Sequence, residues 1–124
     1  LKSFGITGDY STPLMFNFTK NFLKTKIKRY VLDALNEFEV LKRYPDLILI
    51  DGRFRVFCAL SLHKFFLKKK EKPLIIVDDY KFRYDYHILS KFFTIKIIGR
   101  FGVLENFLEV DTKDFIEKYI VDHN

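Results

Sequence analysis

The sequence contains a single cysteine and no long apolar run, and both absences limit what the protein can be. Cys58 has no partner within the chain, so a disulfide framework is excluded and a reducing cytoplasm is the expected compartment. No window approaches about 18 uncharged apolar residues, so no membrane span is expected. The start of the chain lacks the apolar core and cleavage site of a signal peptide. Repeats and low-complexity linkers are also missing, which favours one domain over residues 1–124.

What the sequence does contain is apolar and basic. A hydrophobic content of 48% with 15 Phe residues predicts a packed globule. The net charge is +6, and the lysines concentrate in Lys20–Tyr30 and Lys68–Lys72. Basic patches bind phosphate backbones, but no motif of the known RNA-binding modules is present. The favoured interpretation is a solvated helix face and a turn, which leaves nucleic acid as the weakest candidate partner.

Two short apolar runs each stop at an aspartate, in "DLILIDGRFR" and "PLIIVDDYKFR". Leu47–Ile50 and Leu74–Val77 are continuous and rich in β-branched residues, as expected of strands covered on both faces of a parallel sheet. The segment between them is long and apolar at helical spacing until the lysines and Pro73 end it. This pattern predicts a strand–helix–strand unit.

Further elements are predicted on both sides of this unit. Upstream, "RYVLDALNEFEVLKRY" should form an amphipathic helix that ends before Pro45. Downstream, "YDYHILSKFF" predicts a short helix, "TIKIIG" a strand, and "VLENFLEV" an antiparallel strand after the turn at Gly99–Gly102. Asp111 or Thr112 then caps a last helix. The predicted order is α-β-α-β-α-β-β-α, an α/β fold whose sheet is mostly parallel, with one antiparallel strand near the C-terminus.

Three carboxylates follow the two central strands. Parallel neighbouring strands end at one edge of a sheet, so Asp51, Asp78 and Asp79 should converge where open α/β sheets bind ligands. Such carboxylates need positive compensation, either from a divalent cation or from arginines. The arginines nearest in sequence are Arg53, Arg55 and Arg83. Capping of the following helix is an equal alternative for Asp51.

The layout resembles the C-terminal half of a class I S-adenosylmethionine-dependent methyltransferase, a partial Rossmann-like sheet. More narrowly, it is similar to a group of bacterial methyltransferase-like proteins. The matching blocks are Gly5–Pro13, Asp46–Leu60, Ile75–Leu89 and Ile98–Glu105. The second block is the most specific and the last is weak.

The chain departs from the family pattern at several positions. Ile6, Tyr10 and Ser11 stand where relatives usually have Pro, Trp and Gly, and Tyr84 replaces a usual Pro. The family's Gly-rich loop and the acid that binds the cofactor's ribose are absent, and no strand is expected before "GITGDY". The chain also begins with Leu. We therefore expect a truncated domain, a fragment or a numbering restricted to ordered residues, with an open sheet edge that invites a homodimer or pairing with a missing N-terminal segment.

The resemblance also implies roles for individual residues. In metal-dependent O-methyltransferases of this class, acids at the positions of Asp51, Asp78 and Asp79 bind Mg²⁺, which lowers the pKa of the acceptor hydroxyl. The arginines of "DGRFR" would compete for these acids, so arginine–carboxylate pairing without metal is the alternative. The candidate residues are Asp51, Asp78 and His87 for catalysis, Arg53, Arg55, Tyr80 and Arg83 for the substrate, and Gly8 and Asp9 for S-adenosylmethionine. A lone histidine on a helix is more often structural than catalytic, and "TGDYS" is equally a turn.

Three functions remain open at this point. The first is methyl transfer from S-adenosylmethionine to an oxygen or nitrogen of a small molecule or sugar by the intact protein, with this chain alone expected to be inactive. The second is a non-catalytic interaction domain in which the same acids and arginines form a structural network. The third and weakest is nucleic-acid binding through Lys24–Arg29.

Overall fold

Within the residues that the structure describes, the protein forms a five-stranded mixed sheet with three α-helices and a 3₁₀ helix. The computed structural model describes residues 2–4, 16–52 and 54–119. In chain order, the elements are β1 (Lys2–Phe4), α1 (Phe16–Leu41), β2 (Leu47–Ile50), α2 (Arg55–Phe66), β3 (Leu74–Val77), the 3₁₀ helix (Tyr84–Lys91), β4 (Phe93–Ile98), β5 (Phe101–Phe107) and α3 (Lys113–Tyr119). Within these ranges, no helix is both long and apolar enough to cross a bilayer.

The strands lie in the order β1-β2-β3-β5-β4. Strands β1, β2 and β3 pair in parallel, whereas β5 pairs antiparallel with both β3 and β4. The prediction of a mostly parallel sheet with one antiparallel strand near the C-terminus is therefore confirmed. The β4–β5 hairpin turns at Gly99 and Arg100, which places this turn at the same end of the sheet as the carboxyl end of β3.

One face of the central strands is buried and the other is only half covered. Ile48 and Ile50 of β2 pair with Ile75 and Val77 of β3, and all four side chains are buried. The alternating residues of these strands are half-buried or, for Leu74, exposed. The expectation that both faces are covered therefore does not hold for the described residues. The buried face is where the sheet contributes to the core.

Helix α2 is the centre of that core. Its residues from Val56 to Leu62 are buried nearly all round, because the helix packs against the sheet, α1, α3 and the 3₁₀ helix. Each fully buried Leu or Phe side chain contributes about 1.5–3 kcal/mol of transfer free energy. The prediction of a strand–helix–strand unit with a well-buried helix is confirmed by β2, α2 and β3.

Two element predictions need correction, and the predicted short helix is present. A strand, β1, precedes "GITGDY". It was not predicted because it has only three residues, and the sequence pattern of a strand needs four or more. Helix α1 begins at Phe16, well before the periodic segment, and ends at Leu41, where the following Lys42 has a left-handed φ of 50°. The short helix at Tyr84–Lys91 is a 3₁₀ helix. The last helix begins as predicted, with Asp111 Oδ1 accepting from the Lys113 amide at 2.9 Å.

Candidate functional site

The two central strands deliver their acids to one edge of the sheet. Ile50 and Val77 are opposite each other in the parallel register, so the residues after them emerge side by side. The Asp78 amide donates to the Ile50 carbonyl at 3.1 Å, which extends the pairing by one residue. Asp51 and Asp78 therefore lie at neighbouring strand ends, as the sequence predicts.

Asp78 is held by an arginine that is distant in sequence. Arg100 Nε donates to Asp78 Oδ1 at 2.8 Å, and Nη2 donates to Oδ2 at 3.1 Å. The Asp78 side chain is only 9% exposed, whereas that of Arg100 is 59% exposed. Oδ1 also accepts from the Asp79 amide at 2.9 Å, and Asp79 has a left-handed φ of 58°. A two-point pair of this kind fixes the hairpin turn against the carboxyl end of β3.

Arg55 contacts the residues that follow both central strands. Its Nε donates to the Gly52 carbonyl at 2.6 Å, and Nη1 donates to the Asp78 carbonyl at 2.7 Å. Its side chain is 12% exposed and lies 3.5 Å from Asp51 Oδ1 and 3.6 Å from Asp79 Oδ2. Because one guanidinium bonds both strand ends and both flanking carboxylates, Arg55 joins the β2 and β3 termini into one unit.

Asp51 does not cap helix α2. The residue before the helix is Phe54, which has φ 60° and ψ 41° and makes no side-chain cap hydrogen bond. Asp51 instead faces Arg55, one turn along the chain. The alternative of a helix cap is therefore wrong, and Asp51 belongs to the carboxylate edge.

The carboxylates of this edge are engaged by guanidinium groups. Both Asp78 oxygens are bonded to Arg100, and Asp79 lies between Arg55 at 3.6 Å and Arg100 at 4.0 Å. Among the described residues, no group of three or more His, Cys, Asp or Glu side chains is placed to share a metal ion. Arginine–carboxylate pairing is therefore present at this edge, and the Mg²⁺ site stays a prediction.

Tyr80 and His87 pack together beside the edge. Their rings stack with centroids 4.8 Å apart, and His87 Nε2 lies 3.3 Å from the Tyr80 carbonyl oxygen. Tyr80 is buried, and this burial raises the pKa of its phenol. A side chain at Gly102 would put its Cβ 2.5 Å from Tyr80 Cγ, so the close approach of β5 requires glycine there. His87 is half-buried, and its role as a base stays a prediction.

Tyr86 lies between two arginines. The guanidinium groups of Arg55 and Arg83 each lie 5.9 Å from its ring centroid. Burial raises the pKa of the Tyr86 phenol, and the two arginines oppose that increase. Arg83 itself is exposed, unlike Arg55. Of the three arginines predicted to bind substrate, the two that the structure describes therefore occupy different environments: Arg55 is mostly buried and Arg83 is exposed.

Some predicted site residues lie outside the described residues, and some site residues were missed. Gly8, Asp9 and Arg53 belong to the first group, so their assignments stay predictions.

Arg100 was missed by the sequence analysis because it lies 22 residues from Asp78, and only the β4–β5 hairpin brings the two together. Phe82 and Tyr84, which the sequence analysis did not propose as site residues, are 74% and 84% exposed.

Two cavities lie away from the carboxylate edge. One of about 440 Å³ lies between the end of α2 and the segment Glu109–Thr112. His63 lines it, with Nε2 donating to the Leu108 carbonyl at 2.7 Å and a buried Nδ1 that has no hydrogen-bond partner in the described structure. The other, of about 500 Å³, is a mostly apolar groove between α1, α2 and Ile116.

The comparisons with known proteins support a methyltransferase-like fold. A crystal structure of a methyltransferase-like protein from Silicibacter pomeroyi DSS-3 is similar to this chain, with a TM-score of 0.61 and 25% sequence identity. The likeness covers 94% of this chain and 57% of the other, so the chain spans little more than half of that protein. No family model and no curated protein matches the chain. The fold is therefore methyltransferase-like, and the activity is a separate question.

Proposed function

We propose that this chain is part of an S-adenosylmethionine-dependent methyltransferase and that it binds both the methyl acceptor and the cofactor, with Gly8 and Asp9 as the predicted cofactor contacts. The observation that carries the proposal is the arginine-held carboxylate edge at the ends of β2 and β3, in a chain whose fold is methyltransferase-like. Ligands of open α/β sheets bind at this edge. The acceptor would be an oxygen or nitrogen of a small molecule or sugar.

The described residues do not contain the loop that would hold such a cofactor. A dinucleotide or nucleoside cofactor of Rossmann-like sheets needs a Gly-rich loop between a strand and a helix, and no such loop occurs in residues 16–52 or 54–119. No described residue is therefore assigned to hold S-adenosylmethionine, and Gly8 and Asp9 stay predictions. When bound, this cofactor supplies an electrophilic methyl group: the sulfur–carbon bond breaks with its electron pair on sulfur, and the acceptor atom gains the methyl and loses a proton.

The chain's own contribution would be to orient the acceptor and take that proton. Asp51 is 50% exposed and Asp79 is 42% exposed, so both carboxylates reach solvent at the edge. Asp78 is turned inward to Arg100 and would position the site rather than touch substrate. His87, whose ring stacks on that of Tyr80, is the other candidate base.

A second candidate function is a non-catalytic interaction domain. The observation favouring it is that Arg55 and Arg100 make their contacts within the protein, which is also what a structural network would look like. In that case, the carboxylate edge would stabilise the fold, and the chain would not bind the cofactor. Binding of the cofactor separates the two functions.

The test is the thermal stabilisation of the full chain by S-adenosylmethionine, with and without Mg²⁺. A ligand that binds only the folded state adds roughly 2.7 kcal/mol at a hundred times its dissociation constant. Stabilisation by S-adenosylmethionine and its demethylated product, but not by adenosine or methionine alone, would support the proposal. No stabilisation by either would contradict a cofactor site in this chain and favour the interaction domain. A further gain with Mg²⁺, lost in Asp51→Ala, would support the metal prediction.

A further inference from the structure

We infer that the loop Lys81–Tyr84 is the recognition surface for the acceptor, and that the acceptor is a ring-shaped molecule carrying an anionic group. The inference rests on the proposed function in one respect: that function identifies the ligand of the loop as the methyl acceptor. In this surface, aromatic side chains that can stack on a ligand alternate with cations that have no carboxylate partner among the described residues. The loop follows β3 and the aspartates of the carboxylate edge, and its last residue, Tyr84, is the first residue of the 3₁₀ helix.

The first observation is the exposure of two neighbouring aromatic side chains. Phe82 is 74% exposed and Tyr84 is 84% exposed, whereas the flanking Tyr80 and Tyr86 are buried. Large apolar side chains grouped on a surface mark binding sites more often than those scattered singly. In "YKFRYDY", the outer Tyr80 and Tyr86 are therefore part of the buried core. The inner Phe82 and Tyr84 remain available to contact a ligand.

The second observation is that the cations of the loop lack carboxylate partners. Lys81 Nζ lies 5.5 Å from the centroid of the Phe82 ring, and the Arg83 guanidinium lies 5.9 Å from that of Tyr86. Among the described residues, neither cation is within ion-pair distance of a carboxylate, including the adjacent Asp85. Arg55 and Arg100, by contrast, are satisfied by the acids. The positive charge left for an anion is therefore on the loop.

The third observation is that the loop is held in place. The Lys81 amide donates to the Arg100 carbonyl at 3.3 Å, and the Arg83 amide donates to the Tyr80 carbonyl at 3.3 Å. His87 touches two of the rings, stacking on Tyr80 and meeting Tyr84 edge-on at 5.6 Å. A surface whose backbone and rings are fixed before binding loses less freedom when a ligand arrives.

These contacts define the chemistry of the ligand. A ring face stacks on Phe82 or Tyr84, and a phosphate or carboxylate on the same molecule meets Lys81 and Arg83. Both aryl and sugar rings present such a face. Asp79, whose carboxylate is 42% exposed, precedes Lys81 by two residues, so the bound ring would lie next to the carboxylate edge.

The experiment uses the full chain and four probes without cofactor: phenyl phosphate, glucose 6-phosphate, inorganic phosphate and glucose. Titrations followed by amide chemical shifts should show that one or both ring phosphates bind at least about tenfold more tightly than inorganic phosphate or glucose, since one stacked ring contributes roughly that factor. Comparing phenyl phosphate with glucose 6-phosphate identifies an aryl or a sugar acceptor. The shifts should centre on residues 79–87.

Variants of exposed residues complete the test, because they leave the core untouched. Phe82→Ala and Arg83→Gln should each weaken binding of the preferred ring phosphate about tenfold. Val40→Ala and Lys96→Gln, an exposed apolar and an exposed cationic side chain elsewhere, should leave it unchanged. Inorganic phosphate binding as tightly as the ring phosphates, or unchanged binding by the loop variants, would overturn the inference. Ring-phosphate binding by a chain that does not bind S-adenosylmethionine would uphold this surface and contradict the proposed function.

Discussion

Arg100 and Asp78 form a two-point ion pair across 22 residues of sequence, with donor–acceptor distances of 2.8 and 3.1 Å. The pair joins the tip of the β4–β5 hairpin to the end of β3, where the candidate site lies. Its two partners differ in exposure, since the Asp78 side chain is 9% exposed and that of Arg100 is 59% exposed. Removal of one partner should therefore not have the same consequence as removal of the other.

We expect Arg100→Ala to lower the free energy of unfolding by about 1.5–3 kcal/mol, because it leaves a buried carboxylate without its charged donor. Asp78→Asn should cost less, since Arg100 can then turn to water. Urea denaturation of the two variants and of the double variant measures the difference, with Lys96→Ala as the matched control on β4. Equal losses in both single variants would show that burial of Asp78 does not matter.

Gly102 provides a second prediction, on packing. A Cβ at this position would approach Tyr80 Cγ to 2.5 Å, whereas a Cβ at Gly99 meets nothing within 4 Å. Gly102→Ala should therefore cost about 1–3 kcal/mol through displacement of the buried Tyr80 ring. The double variant with Tyr80→Ala should lose less than the sum of the single losses, because the clash is then gone. If the two losses of unfolding free energy were additive, the cost of Gly102→Ala would come from the backbone of β5 and not from a clash with Tyr80.

Much of this edge could be predicted from the sequence, and the residues that could not be predicted were missed for physical reasons. Asp51, Asp78 and Asp79 were found because apolar runs identify parallel strands, and parallel strands end together. Arg100 could not be found in this way, because nothing local indicates which side chain a hairpin returns to a distant strand end. Likewise, three residues of β1 carry no periodicity, and their strand conformation comes from pairing with Ile48–Ile50.

His63 was also beyond sequence reasoning, and its burial has a consequence for pH dependence. Burial lowers the pKa of this imidazole, against the smaller opposing effect of the hydrogen bond to Leu108. The folded state therefore binds the proton less well than the unfolded state, whose histidine titrates near about 6.5. The resulting stability is fully present above that pH and is lost as pH falls through it toward the folded-state pKa.

The variant that tests this linkage is His63→Phe, which keeps an aromatic ring among Phe92, Phe93 and Phe107 but cannot titrate. Between pH 7 and pH 5, the wild type should lose stability relative to the variant, by at most about 1.4 kcal/mol per pH unit. Denaturant unfolding across this range gives the comparison. Parallel pH profiles would mean that His63 does not resist protonation.

Arg55 and Arg83 offer the sharpest contrast between a structural and a ligand-binding arginine. The Arg55 guanidinium donates to the Gly52 and Asp78 carbonyls and is 12% exposed, a geometry that a lysine cannot reproduce. We expect Arg55→Lys to reduce the free energy of unfolding by about 1–3 kcal/mol, and Arg83→Lys to leave it unchanged because Arg83 is exposed. Thermal and urea unfolding of the two variants give this result directly. A destabilised Arg83→Lys would mean that the cation over Tyr86 supports the fold, and the loop would then lose its free charge as the reason to expect an anionic ligand.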